Sequence, residues 1–158
     1  MPIPKIIHQI WIGPNKKPHF WTDLWDKLYI MEHPEYQYKL WDNENCISEL
    51  NKYPILEKIF NHITSYCIKA DILRYIILYE YGGIYIDTDS VWINNKSLSS
   101  LLETNLFICQ DPLYDKTSKY YLANSVIGCE PHCVYMKEIF TEIEQLIYNY
   151  HQQMYDTG

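Results

Sequence analysis

Tyr81-Gly82-Gly83-Ile84-Tyr85-Ile86-Asp87-Thr88-Asp89 is the stretch on which the reading of this 158-residue chain turns. A glycine pair opens a short apolar strand, and two carboxylates one residue apart close it. Side chains alternate along a strand, so Asp87 and Asp89 are expected on one side. That side lies where the strand runs out, the place at which open α/β sheets take their ligands. Two hard oxygen donors there can share a divalent cation whose other ligands are phosphate oxygens and water. An Asp-Thr-Asp after a strand equally suits a solvated turn, so the neighbouring residues have to decide.

Upstream, Ser65 to Tyr81 has the period of a helix. Ile68, Ile72, Ile76 and Tyr79 recur at helical spacing, and Leu73 and Ile77 widen the stripe. Ser65 is the expected N-cap, and Gly82 is expected to end the helix in a left-handed conformation. Asp71 and Arg74 stand three apart on this apolar helix and are therefore neighbours. Charges in such a setting are costly unless paired or used. A structural ion pair is one explanation. Against it, Arg74 is the single arginine of the chain, every other strongly basic side chain being lysine, and only arginine offers a planar fork of donors.

The remaining residues supply a scaffold. Lys5 to Ile12 is expected as the opening strand, turning at Gly13-Pro14-Asn15. Phe20, Trp21, Leu24, Trp25 and Leu28 are expected to form the core face of an amphipathic helix. Tyr36–Trp41 alternates like a second strand, Asp42-Asn43 opens a helix towards Leu50, and a further helix covers Tyr53–His62. Val91-Trp92-Ile93 is expected as a strand, Leu98–Leu102 as a short helix, Leu106–Cys109 as a buried strand and Pro131–His151 as a long last helix. Strands alternating with helices predict an α/β fold in a single domain over residues 1–158, with a mainly parallel sheet covered on both faces.

Three blocks carry a family resemblance. Ile3-Pro4-Lys5-Ile6-Ile7-His8-Gln9-Ile10-Trp11-Ile12-Gly13, then Lys69-Ala70-Asp71-Ile72-Leu73-Arg74-Tyr75, then Gly82 to Asp89, resemble in order the signatures of the DXD-type sugar transferases of glycosyltransferase family 32. That group includes initiating α-1,6-mannosyltransferases, and the glucosyltransferase domains of large clostridial toxins carry similar blocks. A looser likeness runs through Asn124-Ser125-Val126-Ile127-Gly128 to Asp156-Thr157-Gly158. The resemblance implies a GT-A-like (Rossmann-like) fold and metal-dependent, retaining transfer from a UDP- or GDP-sugar to a glycan, lipid or protein hydroxyl, with Mn²⁺ or Mg²⁺ as cofactor. It implies that Ile10 and Trp11 line the nucleotide pocket, with Trp11 at the base. Asp71 and Arg74 hold sugar or ribose hydroxyls, and Tyr85 lines the ribose and diphosphate. Asp87 reaches the ribose and a metal-bound water, Asp89 binds the metal, and Asn124 lies near the donor sugar. Asp71, Arg74, Asp87 and Asp89 form the implied catalytic set. Because family chains usually continue further, the expectation also includes a missing C-terminal segment, and with it a second reading: a catalytically weak nucleotide-sugar-binding domain serving as a partner subunit.

Composition narrows the classes further. A net charge of −7 with pI near 5.3 leaves no basic patch for a nucleic-acid partner. A nucleotidyltransferase would need a Gly-rich phosphate loop or a basic triphosphate clamp, and neither is evident. Five cysteines (Cys46, Cys67, Cys109, Cys129 and Cys133) match no disulfide framework or paired zinc spacing. They are expected as buried free thiols, with a reducing, cytoplasmic location. No apolar run reaches membrane-spanning length. His8, alone on the first strand, is expected to serve packing.

Overall fold

The computed structural model describes residues 2–92, 98–110 and 122–156. Five strands form one sheet in the order β2-β1-β3-β5-β4, with β1 at Ile6–Ile10, β2 at Gln37–Trp41, β3 at Gly83–Ile86, β4 at Leu106–Gln110 and β5 at Leu122–Cys129. Strand β1 pairs in parallel with both β2 and β3. The other half is antiparallel, β3 with β5 and β5 with β4. The α/β class holds, but the sheet is evenly mixed rather than mainly parallel. Residues 111–121, which join β4 to β5, are fewer than the dozen or so that a parallel crossover takes. Strand β5 itself was not foreseen, because Asn124, Ser125 and Gly128 interrupt its apolar pattern.

Helices cover both faces. Helices α3 (Asn43–Leu50), α4 (Pro54–His62), α5 (Tyr66–Tyr81) and α6 (Val134–Asp156) pack on one face around Ile10, Trp41, Leu73, Ile76, Ile77 and Met136. Ile7, Ile84 and Ile86 point the other way, to Trp25, Tyr29, Tyr36 and Leu102. Trp25 and Tyr29 come from a continuous helix over residues 19–32, composed of α1 (His19–Asp23), a π-helical stretch (Leu24–Tyr29) and α2 (Ile30–Glu32). The buried face of this helix is Thr22, Trp25 and Tyr29, which are three and four residues apart. Phe20, Trp21 and Leu28, expected inside, are exposed. Val91 and Trp92 are not in a strand, and Ile93 lies outside the described residues. No described helix is long and apolar enough to cross a membrane.

Helix α5 is the central element. The Ser65 hydroxyl caps it by accepting from the Ile68 N–H, and Ile72 through Leu78 are buried apart from Tyr75. The start of its stripe is not buried, Ile68 being exposed. At its end, the Gly82 N–H reaches the Leu78 carbonyl at 2.9 Å. Gly82 has φ +61° and ψ −158°, so it leaves the helix with the expected positive φ but with ψ outside the left-handed helical well, a conformation essentially confined to glycine, and the chain enters β3 at once through Gly83 at φ +94°. A Cβ on Gly83 would stand 2.7 Å from the Ile6 carbonyl oxygen. Only glycine fits there.

His8 holds this corner. It is fully buried, and its Nδ1 accepts the indole N–H of Trp41 at 3.0 Å. The proton therefore sits on Nε2, which donates to the Gly82 carbonyl at 2.9 Å. Burial lowers its pKa to about 4, so the imidazole is neutral in the fold and serves packing, as its setting predicts. The unfolded chain takes up this proton near pH 6.5 and the folded chain only near 4, so stability falls as pH drops through that window. We expect up to about 3 kcal/mol from this one group. Urea denaturation at neutral and mildly acid pH should show a shallower acid loss in His8→Gln than in the parent; equal slopes would contradict the assignment.

Candidate active site

A cleft of about 430 Å³ opens beyond the carboxyl ends of β1 and β3, beside α5. Ile10 and Trp11 line it from the end of β1 and the residue after it, Asp71 and Arg74 from α5, and Tyr85, Asp87, Thr88 and Asp89 from β3 and the turn after it. Asn124 is outside this lining but reaches it, its side-chain N–H donating to Asp71 Oδ1 at 3.1 Å. The expected site residues therefore converge. Trp11 is fixed by its own loop, its indole N–H donating to the Asn15 carbonyl at 3.0 Å.

The site is organised around Arg74, which is only 5 % exposed. Its Nη2 lies 2.6 Å from Asp71 Oδ1, its Nη1 lies 3.3 Å from Asp87 Oδ1, and Nη1 also donates to the Asn124 carbonyl. The guanidinium carbon sits 4.5 Å from the centre of the Tyr85 ring. One fork thus joins α5, the end of β3 and β5. The simple helical ion pair exists, yet it is only one arm of the network. Nε is buried with no partner among the described residues.

The carboxylate turn is held through its backbone. Asp87 N–H donates to the Ser125 carbonyl at 2.9 Å, and Ser90 N–H returns to the Asp87 carbonyl at 3.0 Å. The Trp25 indole donates to the Ser90 carbonyl at 2.9 Å. Strand β3 ends at Ile86, so strand alternation does not extend to Asp89; the turn over residues 87–90 is what brings Asp89 to the same cleft. Burial pushes the Asp87 carboxyl above its usual range, Tyr85 and Arg74 oppose that, and the charges of Asp89 and Asp71 add to it. Tyr85 donates its hydroxyl to Asp87 Oδ1 at 2.7 Å. Asp89 is exposed, and among the described residues no hydrogen bond or ion pair holds it. No described group of three or more His, Cys, Asp or Glu residues could cage a cation. Asp87 and Asp89 are the two carboxylates of the turn that line the cleft.

Several contributors were invisible in the sequence. Gln9 is fully buried; its amide N–H donates to the Asp87 carbonyl at 3.2 Å and its oxygen accepts from Tyr38 at 2.8 Å. Asn43 grips Gly13 from both sides, accepting its N–H at 2.9 Å and donating to its carbonyl at 3.2 Å. Their one sequence signal was polarity, in an apolar strand for Gln9 and after a helix cap for Asn43. The five cysteines are free. Cys67, expected to be buried, is exposed and lines the cleft, because it lies in the first turn of α5, before the helix enters the core.

Removing the fork should cost stability. Asp71 and Asp87 keep side-chain exposures of 41 % and 31 %, so they can rehydrate and the loss stays below that of a fully buried pair. We expect Arg74→Met to cost about 1–2 kcal/mol, and Arg74→Lys to recover only part of it, because an ammonium cannot serve three acceptors in one plane. Chemical denaturation measures both; a Lys variant as stable as the parent would show that the fork is not needed.

Comparison with known proteins supplies the context for this geometry. Residues 18–108 match the family model described as "Glycosyltransferase sugar-binding region containing DXD motif". The chain is 32 % identical to inositol phosphoceramide mannosyltransferase 3 of Schizosaccharomyces pombe over 99 % of its own length and 42 % of the relative's. It is 35 % identical to a mannosyl phosphorylinositol ceramide synthase of Saccharomyces cerevisiae over 87 % of its length and 34 % of the relative's. It thus spans less than half of these curated relatives. Its fold is similar to that of the solved PaToxG glycosyltransferase, with a TM-score of 0.62 at 16 % identity, covering 96 % of this chain and 63 % of that one. The match across more than half of the chain places it in the glycosyltransferase family with the DXD-containing sugar-binding region.

Proposed function

We propose that this chain forms the donor-binding part of a metal-dependent glycosyltransferase that moves mannose from a nucleotide-activated donor to a hydroxyl, with a lipid headgroup as acceptor. The observation that carries the reading is the convergence of Asp71, Arg74, Asp87 and Asp89 on one cleft. The names of the relatives, mannosyltransferases acting on inositol phosphoceramide, support the sugar and the acceptor class.

Transfer breaks the anomeric C–O bond, leaving negative charge on the diphosphate and positive character on the sugar. Asp89, with Asp87 beside it, would hold a divalent cation, which would supply Lewis-acid stabilisation of that leaving group. The chain's own groups do the rest. Trp11 flanks the base, and Tyr85 lines the ribose and diphosphate. Asp71 and Arg74 orient donor hydroxyls in a site fixed before the donor arrives, the arrangement from which electrostatic catalysis draws most. Asn124 keeps Asp71 turned to the donor. In this reading transfer goes with retention by front-face displacement, and Asp71 and Asp87, both held by Arg74, position the donor rather than attack it.

Calorimetry with GDP, UDP and GDP-mannose, each with Mn²⁺ and with chelator, tests the reading. One nucleotide should bind in the presence of metal and lose at least about tenfold in affinity without it. Asp89→Asn should abolish the metal dependence with an unchanged melting temperature, since Asp89 is exposed. Binding of every nucleotide with equal affinity in chelator would overturn the proposal.

A further inference from the structure

Gln9 is a polar residue at a core position. Strand alternation sets it on the side of Ile7, which clusters with Trp25 and Tyr29, and it is fully buried. An amide there is costly unless both its ends are bonded. Its N–H donates to the Asp87 carbonyl at 3.2 Å, and its oxygen accepts from the Tyr38 hydroxyl at 2.8 Å. The orientation is fixed, because a carbonyl oxygen only accepts and the amide nitrogen therefore has to face Asp87. Burial raises the Tyr38 pKa, which keeps that hydroxyl protonated as the donor at the other end.

Neither partner needs Gln9. The Asp87 carbonyl already accepts the Ser90 N–H at 3.0 Å, and Tyr38 is only half-buried, so water can serve its hydroxyl. An apolar side chain of the same length would fill the position with no amide to satisfy. What the amide adds is direction. The carbonyl it holds belongs to the peptide between Asp87 and Thr88, which lies between the two carboxylate residues of the turn. At the far end of that turn, the Trp25 indole bonds the Ser90 carbonyl at 2.9 Å. Gln9, Tyr38 and Trp25 are not among the residues that line the cleft, so this hold reaches the carboxylates from behind, through the backbone.

We infer that Gln9 is a positioning residue: by fixing the Asp87–Thr88 peptide it sets the direction in which Asp87 and Asp89 face a cation, without touching cation or donor. This rests on the donor-site reading above and adds a residue that tunes that site from outside it. Residues that orient metal ligands in this indirect way commonly change metal affinity by about 10- to 100-fold.

Gln9→Met and Tyr38→Phe test it. The first fills the space without hydrogen bonds; the second removes the outer bond alone and leaves the amide free to turn. Hydrogen exchange at the Ser90 amide, followed by NMR, reports the turn. Calorimetry with GDP, in Mn²⁺ and in chelator, reports the cation site. Gln9→Met should speed Ser90 exchange about tenfold with the amides of β3 unchanged, and weaken Mn²⁺-dependent binding about tenfold with binding in chelator as in the parent. Tyr38→Phe should move both readouts the same way by less, and it carries the test should Gln9→Met not fold. A residue serving packing alone would lower the melting temperature and leave both readouts unchanged below it. That result, or equal losses in Mn²⁺ and in chelator, would overturn the inference. So would faster Ser90 exchange with parent-like Mn²⁺-dependent binding. Should the parent bind no nucleotide in a metal-dependent way, the donor-site reading fails, and Ser90 exchange alone then decides whether Gln9 fixes the turn.

Discussion

A buried guanidinium is the constraint on which this site depends. At 5 % exposure, Arg74 has lost most of its hydration, and a desolvated charge persists only where carboxylates and carbonyls replace water. The replacements come from three places in the chain: Asp71 one turn earlier on α5, Asp87 at the end of β3, and the Asn124 carbonyl on β5. Satisfying one side chain therefore fixes the relative position of a helix and two strands. The partly exposed Asp71 and Asp87 are left facing the cleft, with their positive partner behind them.

Each half of the mixed sheet serves the site differently. The parallel half, β2-β1-β3, puts the ends of β1 and β3 side by side and so makes the cleft. The antiparallel half brings β5 back along β3, where Ser125 anchors the Asp87 backbone and Asn124 meets both Arg74 and Asp71. His8, clamped between Trp41 and Gly82, fixes the corner from which β3 starts, and with it the position of the carboxylates four residues on. Gln9 and Trp25 hold the turn from the opposite face.

Much of this was legible in the residues because it is local. The Ser65 cap, the 3.6-residue period of α5 and the strand ahead of Asp87 follow from neighbours in sequence, and the lone arginine singled out the residue that matters most. What was not legible depends on distant contacts or on departures from regular period. The helix over residues 19–32 buries Thr22, Trp25 and Tyr29, one residue round from the stripe of its most apolar side chains, so Phe20 and Leu28 fall outside. Asp89 reaches the cleft by a turn rather than by strand alternation. Strand β5 is polar at Asn124 because that side chain serves Asp71, so its place in the site hid its secondary structure. Gln9 looked like one more strand residue, since its partners Tyr38 and Asp87 are remote in sequence.

The central claim is that the Arg74 network presents Asp87 and Asp89 as the metal-binding side of a nucleotide cleft. Crystals grown with GDP and Mn²⁺, measured by anomalous scattering at the manganese edge, test it most directly. The account predicts a manganese peak at Asp89, the diphosphate against the ion, and Arg74 still bridging Asp71 and Asp87. Bound nucleotide with the manganese elsewhere, or with no manganese at all, would contradict it.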